Sequence, residues 1–438
     1  MQKSLDQKLA AIHADPSGAR DFIIADAKDA DMAFGIGAPG LSPEAHSGEL
    51  RFRTLAEYRE QIRQVVRQGK VDIMLMSAST NYVLTIEEEL FAHSHITPAA
   101  RANDTSDIFV VRGNRYVTEP SRPFRSASLD HIQCGHVDCT PAERTLGANL
   151  GLYSVTFNNR LDEDLASIEA YREFRLEAER KGFRHFLEVF DPNAPHGLDG
   201  GDVAKFVNDS IARTLAGVAG PGRPVFLKVV YHGPAAMEEL VAYDPHLVVG
   251  ILGGGAGTTY DAFKLIAEAQ KYGARVALFG RKINNAENQL AFIEFLRLIV
   301  EGAISPEEAV PAYHGTLQKL GVRPRRSLED DLRLETSVMS YSGSSVSMPR
   351  AISAGTSTRP AAKTAAQPVP ARGHDCGCQK KAKPAADSAA HECSCHAKAD
   401  TTAATPARAD AGVPDFSKMS PAEKLAYNKA RRDRIFGA

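Results

Sequence analysis

Eight short apolar runs recur through the first 280 residues: Phe22–Asp26, Val71–Ser77, Ile108–Arg112, Gly151–Asn158, Phe183–Phe190, Val225–Tyr231, Leu247–Leu252 and Ala274–Gly280. Most are continuous rather than alternating, the pattern of strands covered on both faces. Helical segments such as Leu165–Lys181, Val203–Ala216 and Tyr260–Lys271 separate most of them. Eight strands alternating with helices over roughly 250–300 residues match an α/β chain closed into a (β/α)8 TIM barrel. A doubly wound open sheet would place a Gly-rich turn after its first strand. Here the first run continues as ADAKDADMAFG, without GxGxxG, which favours the barrel.

Composition changes sharply near Ser340, and residues 351–412 are rich in Ala, Pro, Thr and Lys with almost no large apolar side chains. Such a stretch cannot offset the entropy of folding and reads as a disordered linker. The expected layout is a barrel over 1–325, a linker over 326–412 and a basic amphipathic helix over 413–438. Ser420 supplies an N-cap for that helix, Pro421 its first position and Glu423 a first-turn carboxylate. The 438 residues are 43% hydrophobic and 24% charged with a net charge of −2, which gives no global drive toward nucleic acid or a membrane surface. No apolar run reaches the roughly 18 residues of a membrane span. The N-terminus has no apolar signal region, so the expectation is a cytoplasmic protein with reduced cysteines.

In a barrel, the chemistry sits at the C-terminal ends of the strands. The polar residues there are Asp26, Lys28 and Asp29, then Asn158 and Asn159, Glu188 and Asp191, Lys228 and Tyr231, and Arg281. Lys228 stands in the middle of VFLKVVYHG, where a charge is costly unless it is paired or used. Desolvation can turn a lysine into a nucleophile toward carbonyls; the alternative is an ion-paired or snorkelling side chain. LGGGAGTTYDAF after the seventh run and FGRK after the eighth fall where barrels bind phosphate, through backbone N–H groups and Arg281.

The runs KVVYHG, GILGGGAGTTYDAF and LFGRKINNAENQLAFIEFLRLIVEG resemble the class I aldolases of the deoxyribose-phosphate and archaeal-type fructose-bisphosphate aldolase group. The resemblance implies a Schiff-base lyase that makes or breaks a C–C bond in a phosphorylated sugar or keto compound, assembled as a homo-oligomer. It assigns Lys228 as the Schiff-base lysine and Gly254, Gly255, Gly280 and Arg281 as the phosphate site. Asp26 matches an aspartate used in proton handling. That family follows this aspartate with His, where Ala27-Lys28 stand here, and its fructose-bisphosphate members place a tyrosine near Phe190. Either Glu188, the first choice, or Asp191 or Tyr231 takes over proton transfer, or the chain runs a different reaction on a related iminium. No cofactor is called for in the barrel. The competing reading is a barrel that has lost turnover and acts as a binding protein.

Three further features stand apart. HIQCGHVDC at His131–Cys139 lacks the spacing of a standard zinc site and reads as structural. HDCGCQKK and HECSCH place Cys376, Cys378, Cys393 and Cys395 beside His374, His391 and His396; they suit zinc or copper(I), or else form redox-reactive thiols. The C-terminal MSPAEKLAYNKARRDRIFGA resembles the SUZ motif, which implies RNA contact through Tyr427, Arg431, Arg434 and Phe436. The same helix could instead dock a protein partner or shell.

Overall fold

The structure is a computed structural model that describes residues 1–40, 52–111, 113–254, 257–336, 420, 423, 426 and 427. Eight parallel strands close into a barrel in the order of the chain. They are β1 Ile23–Lys28, β2 Ile73–Met76, β3 Thr97–Arg101, β4 Leu150–Thr156, β5 Arg184–Phe190, β6 Leu227–Val229, β7 Val249–Leu252 and β8 Val276–Phe279. Among the described residues, the helices of ten residues or more are α1 Ser4–Ala14, α2 Leu55–Gln68, α3 Leu161–Arg180, α4 Val203–Ala216, α5 Pro234–Tyr243, α6 Thr259–Lys271, α7 Gln289–Val300 and α8 Pro306–Lys319. Helices α2 to α6 lie between strands, as a (β/α)8 barrel requires.

Seven of the eight expected runs hold strands. The third does not. β3 is TPAAR at Thr97–Arg101, which has none of the bulky β-branched pattern of its neighbours, and it pairs with β2 from Ile73↔Thr97 to Met76↔Ala100. The run Ile108–Arg112 lies beyond it, with Ile108 buried in a turn but Val110 and Val111 exposed at 37% and 44%. Apolar content marked a loop that covers the barrel mouth, while small residues sufficed for a strand walled by its neighbours.

Alternation along the strands sorts the core into two layers. Ile24, Met74, Tyr153, Val189, Val229 and Ile251 face the helices. Ile23, Ala25, Ala27, Ile73, Leu75, Leu152, Phe186 and Phe226 fill the interior. Helix α1 brings Leu5, Leu9 and Ile12, spaced four and three apart on one face, into that interior cluster and stoppers its N-terminal end. Helix starts follow local chemistry: Thr54 with Glu57, Thr258 with Asp261 and Ser305 with Glu308 each close a capping box.

Beyond α8, Asp331 accepts from Thr259 N, and Glu335 and Thr336 donate to Asp261, so the hydrogen-bonded body continues past residue 325 to Thr336. The remainder of the expected linker lies outside the described residues. At the C-terminal helix, Ser420 Oγ accepts from Glu423 N at 3.3 Å, and Glu423 Oε2 accepts from Ser420 N at 2.8 Å, which is the expected cap. Among the described residues, no helix is long and apolar enough to cross a membrane.

Candidate active site

One row of inward positions crosses four neighbouring strands: Ser154 on β4, Glu188 on β5, Lys228 on β6 and Gly250 on β7. Adjacent strands in register bring these side chains side by side, and the outcome is an ion pair inside the barrel. Lys228 Nζ lies 2.5 Å from Glu188 Oε1. Ser154 Oγ donates to Glu188 Oε2 at 2.6 Å. Lys228 is 5% exposed and Glu188 and Ser154 are fully buried. The two residues named from sequence as nucleophile and proton carrier therefore converge.

Beside them stands Arg101, the last residue of β3, which the sequence reading missed. Its Nη2 lies 3.7 Å from Glu188 Oε2, and its Nε donates to Asp29 Oδ2 at 2.6 Å. Burial opposes the guanidinium charge, but Asp29, Asp104 and Glu188 outweigh it and hold Arg101 firmly protonated. Asp104 Oδ1 accepts from Thr105 N at 2.9 Å. Burial pushes the Asp104 carboxyl up to about 7, against the pull of Arg101.

Asp26 is corrected. It shares the helix-facing side of β1 with Ile24, while Ile23, Ala25 and Ala27 face inward. It accepts from Lys28 Nζ, two residues along the same face, at 2.9 Å. Burial raises the Asp26 carboxyl and lowers the Lys28 amine. The inward acid is Asp29, in step with residues 23, 25 and 27. That parity was present in IIADAKD. Tyr231 is corrected for the same reason. It lies in the helix-facing layer with Val229, Met237 and Leu240, and burial pushes its phenol up, with Glu268 adding to the effect. Asp191 is at the mouth, its Oδ1 2.8 Å from His232 Nε2.

The loops after β7 and β8 adjoin at the C-terminal end, where Gly253 N donates to Leu278 O at 2.7 Å. Gly254 has φ of +59°, a conformation that favours glycine. At Gly280 a Cβ would come within 3.0 Å of Ala27 O, a tight contact where β1 and β8 approach each other. The Arg281 guanidinium carbon lies 4.4 Å from the centre of the Phe34 ring. Lys282 Nζ donates to Gly257 O at 2.8 Å, and burial lowers this amine to about 8. Gly255 lies outside the described residues.

Cys134 and Cys139 form a disulfide, which overturns the expectation of reduced cysteines for this pair and agrees with a structural role for HIQCGHVDC. Among the described residues, no group of three or more His, Cys, Asp or Glu could hold a metal. Cys376, Cys378, Cys393, Cys395, Arg431, Arg434 and Phe436 lie outside the described residues; Tyr427 is helical.

No family profile matches the chain, and no curated protein matches it. Among solved structures it is similar to an archaeal fructose 1,6-bisphosphate aldolase at 14% identity, covering 67% of this chain and 99% of that one with a TM-score of 0.48. A second archaeal fructose-1,6-bisphosphate aldolase, with its catalytic Lys covalently bound to the carbinolamine intermediate, is 16% identical over 67% of this chain and 99% of that one, TM-score 0.47. Fructose-bisphosphate aldolase from Slackia heliotrinireducens is 12% identical over 71% and 91%, TM-score 0.49. At such identities these likenesses assign no residue, and the chemistry of the site rests on this chain's own side chains.

Proposed function

We propose that this chain is a Schiff-base-forming lyase that makes or breaks a carbon–carbon bond in a phosphorylated carbonyl compound. The observation that carries the reading is Lys228, inward on β6 inside a closed barrel and 2.5 Å from Glu188. Proton transfer inside the pair leaves Lys228 neutral and Glu188 protonated, and the amine attacks the carbonyl carbon. Glu188 gives its proton to the developing alkoxide, takes one from the nitrogen and returns that second proton to the hydroxyl, which leaves as water. The Glu188 carboxylate takes the proton of the hydroxyl on the β carbon, which becomes the carbonyl of the released fragment, and the iminium accepts the electron pair of the breaking C–C bond and becomes an enamine. Protonation on carbon and hydrolysis then restore the lysine. An iminium is itself the electron sink, so this route calls for no metal. Arg101 and Ser154 act as positioning residues for Glu188. Gly254, Gly255, Gly280 and Arg281 would hold the phosphate at the mouth.

Incubation with a panel of phosphorylated aldehydes and ketones plus borohydride should add mass at Lys228 in the wild type, with nothing added at position 228 in Lys228→Met. An unchanged Lys228 peptide across the panel sinks the lyase. A second reading, a barrel that binds without turnover, is favoured by the closure of Phe190, Val230, Leu252 and Ile108 above the lysine. Binding of a panel member without trapping would select it.

A further inference from the structure

Helix α3 carries two apolar stripes. Tyr171, Phe174 and Ala178 are buried and form the first. Leu161, Leu165 and Ile168, spaced four and three apart, form the second, turned roughly 120° from the first around a helix of about 3.6 residues per turn. These three are 81%, 49% and 39% exposed. Among the described residues, no other helix turns three large apolar side chains of one face to solvent. A globular helix needs a single buried stripe, and a second one left in water marks a contact surface.

The borders of this stripe are acidic. Asp162, Glu169 and Glu173 recur at helical spacing along one flank, and all three are exposed. Arg172 continues the stripe, but its Nη1 is taken up by Glu173 at 2.8 Å. Past the acidic row a hollow of about 370 Å³ is lined by Ala166 and Ala170 with Asp162 and Glu163, and by Arg122 and Pro123. Small floor residues and an acidic edge suit a partner that brings both bulk and positive charge.

The same chain holds such a partner. Its last residues, 424–438, contain Lys424, Lys429, Arg431, Arg432 and Arg434 against Asp433, with Leu425, Ile435 and Phe436 among them. At about 3.3 Å per extended residue, the stretch between Thr336 and Lys424 is long enough to reach any face of a barrel. A tethered segment meets its site at about millimolar effective concentration, so a modest contact suffices. We propose that residues 424–438 dock on the exposed face of α3, their apolar side chains on Leu161, Leu165, Ile168 and the hollow, their cations along Asp162, Glu169 and Glu173. This is helix-on-helix recognition with charge complementarity, and it is independent of the chemistry at Lys228.

The test is zero-length carbodiimide cross-linking of the full chain, with unlabelled and nitrogen-15-labelled copies mixed equally and the linked peptides read by mass spectrometry. Lys424 or Lys429 should join Asp162, Glu169 or Glu173 within one copy. The double variant Leu161→Ser with Leu165→Ser, and separately Phe436→Ser, should each lower those links about tenfold. Leu161 and Leu165 are exposed, so the urea midpoint of the double variant should match the wild type. Absence of links to α3 overturns the proposal, as do links undiminished in both variants. Links formed chiefly between labelled and unlabelled copies overturn it in favour of docking on a second copy. Absence of α3 links together with binding of a fluorescent single-stranded RNA, lost in Arg431→Ala with Arg434→Ala, assigns the segment to nucleic acid instead.

Discussion

Asp29 and Arg101 meet inside the barrel, Nε donating to Oδ2 at 2.6 Å, although β2 stands between the strands that lead to them. The bond draws the guanidinium across the interior, where the same side chain comes within 3.7 Å of Glu188. Removing Arg101 takes a cationic neighbour from three buried carboxyl groups at once, Asp29, Asp104 and Glu188. Arg101→Met should therefore lower stability by about 3–5 kcal/mol, the scale for breaking a buried ion pair. Urea denaturation reads this directly, and a midpoint equal to that of the wild type would show that the network contributes nothing net.

Two buried groups give opposite pH dependences. Asp104, raised to about 7, keeps in the folded state a proton that the unfolded chain loses near its ordinary value of 3.8. Its contribution is thus greatest in acid and is lost as pH rises toward 7. His185, lowered to about 3 by burial, with Arg175 adding to the effect, stays neutral while the unfolded chain protonates below 6.5. Its contribution is present above 6.5 and is lost as pH falls. Asp104→Asn keeps the neutral form and removes only the first effect. Relative to wild type it should gain about 2–3 kcal/mol between pH 5 and pH 8, at about 1.4 kcal/mol per unit up to 7. Parallel urea curves at the two pH values test it, and a constant difference refutes the raised carboxyl.

The Cys134–Cys139 link joins residues five apart. A loop so short restrains the unfolded chain by about 2 kcal/mol on the chain-entropy account. The double variant Cys134→Ser with Cys139→Ser should lose roughly that amount, and a reductant should lower the wild type to the same level while leaving the variant unmoved. Alkylation of both thiols in the unreduced protein would show that the bond does not form.

Gly250 completes the row of Lys228 without a side chain, because a Cβ there would lie 2.6 Å from Leu227 O and 2.7 Å from Val276 Cβ. Gly250→Ala should destabilise by about 1–3 kcal/mol through overpacking. It should also slow borohydride trapping at Lys228, its neighbour in register on β6. Unaltered stability and trapping together would show that the barrel yields at this point without cost.

Legibility in the sequence followed physical cause. Where both faces of a strand needed large side chains, as in IMLM of β2 or VALF of β8, apolar runs marked the strands. β3 escaped notice because Ala99 and Ala100 pack against neighbours already filling the space, and Arg101 escaped with it. Lys228 and Glu188 were visible as charges embedded in apolar runs. Asp26 was preferred over Asp29 because the resemblance outweighed the period of two that decides which face of β1 a residue occupies.

The stopper formed by Leu5, Leu9 and Ile12 closes the N-terminal end of the barrel, so among the described residues the way to Lys228 runs from the rim. Under the proposed lyase, the fragment nearer the rim would depart first and the fragment held on the lysine last. In the reverse direction the order of arrival would be inverted, and a partner reaching the rim early would become an obstruction. A chain with this plan would carry its order of events in the geometry of a blind vessel, and trimming α1 would open a back door.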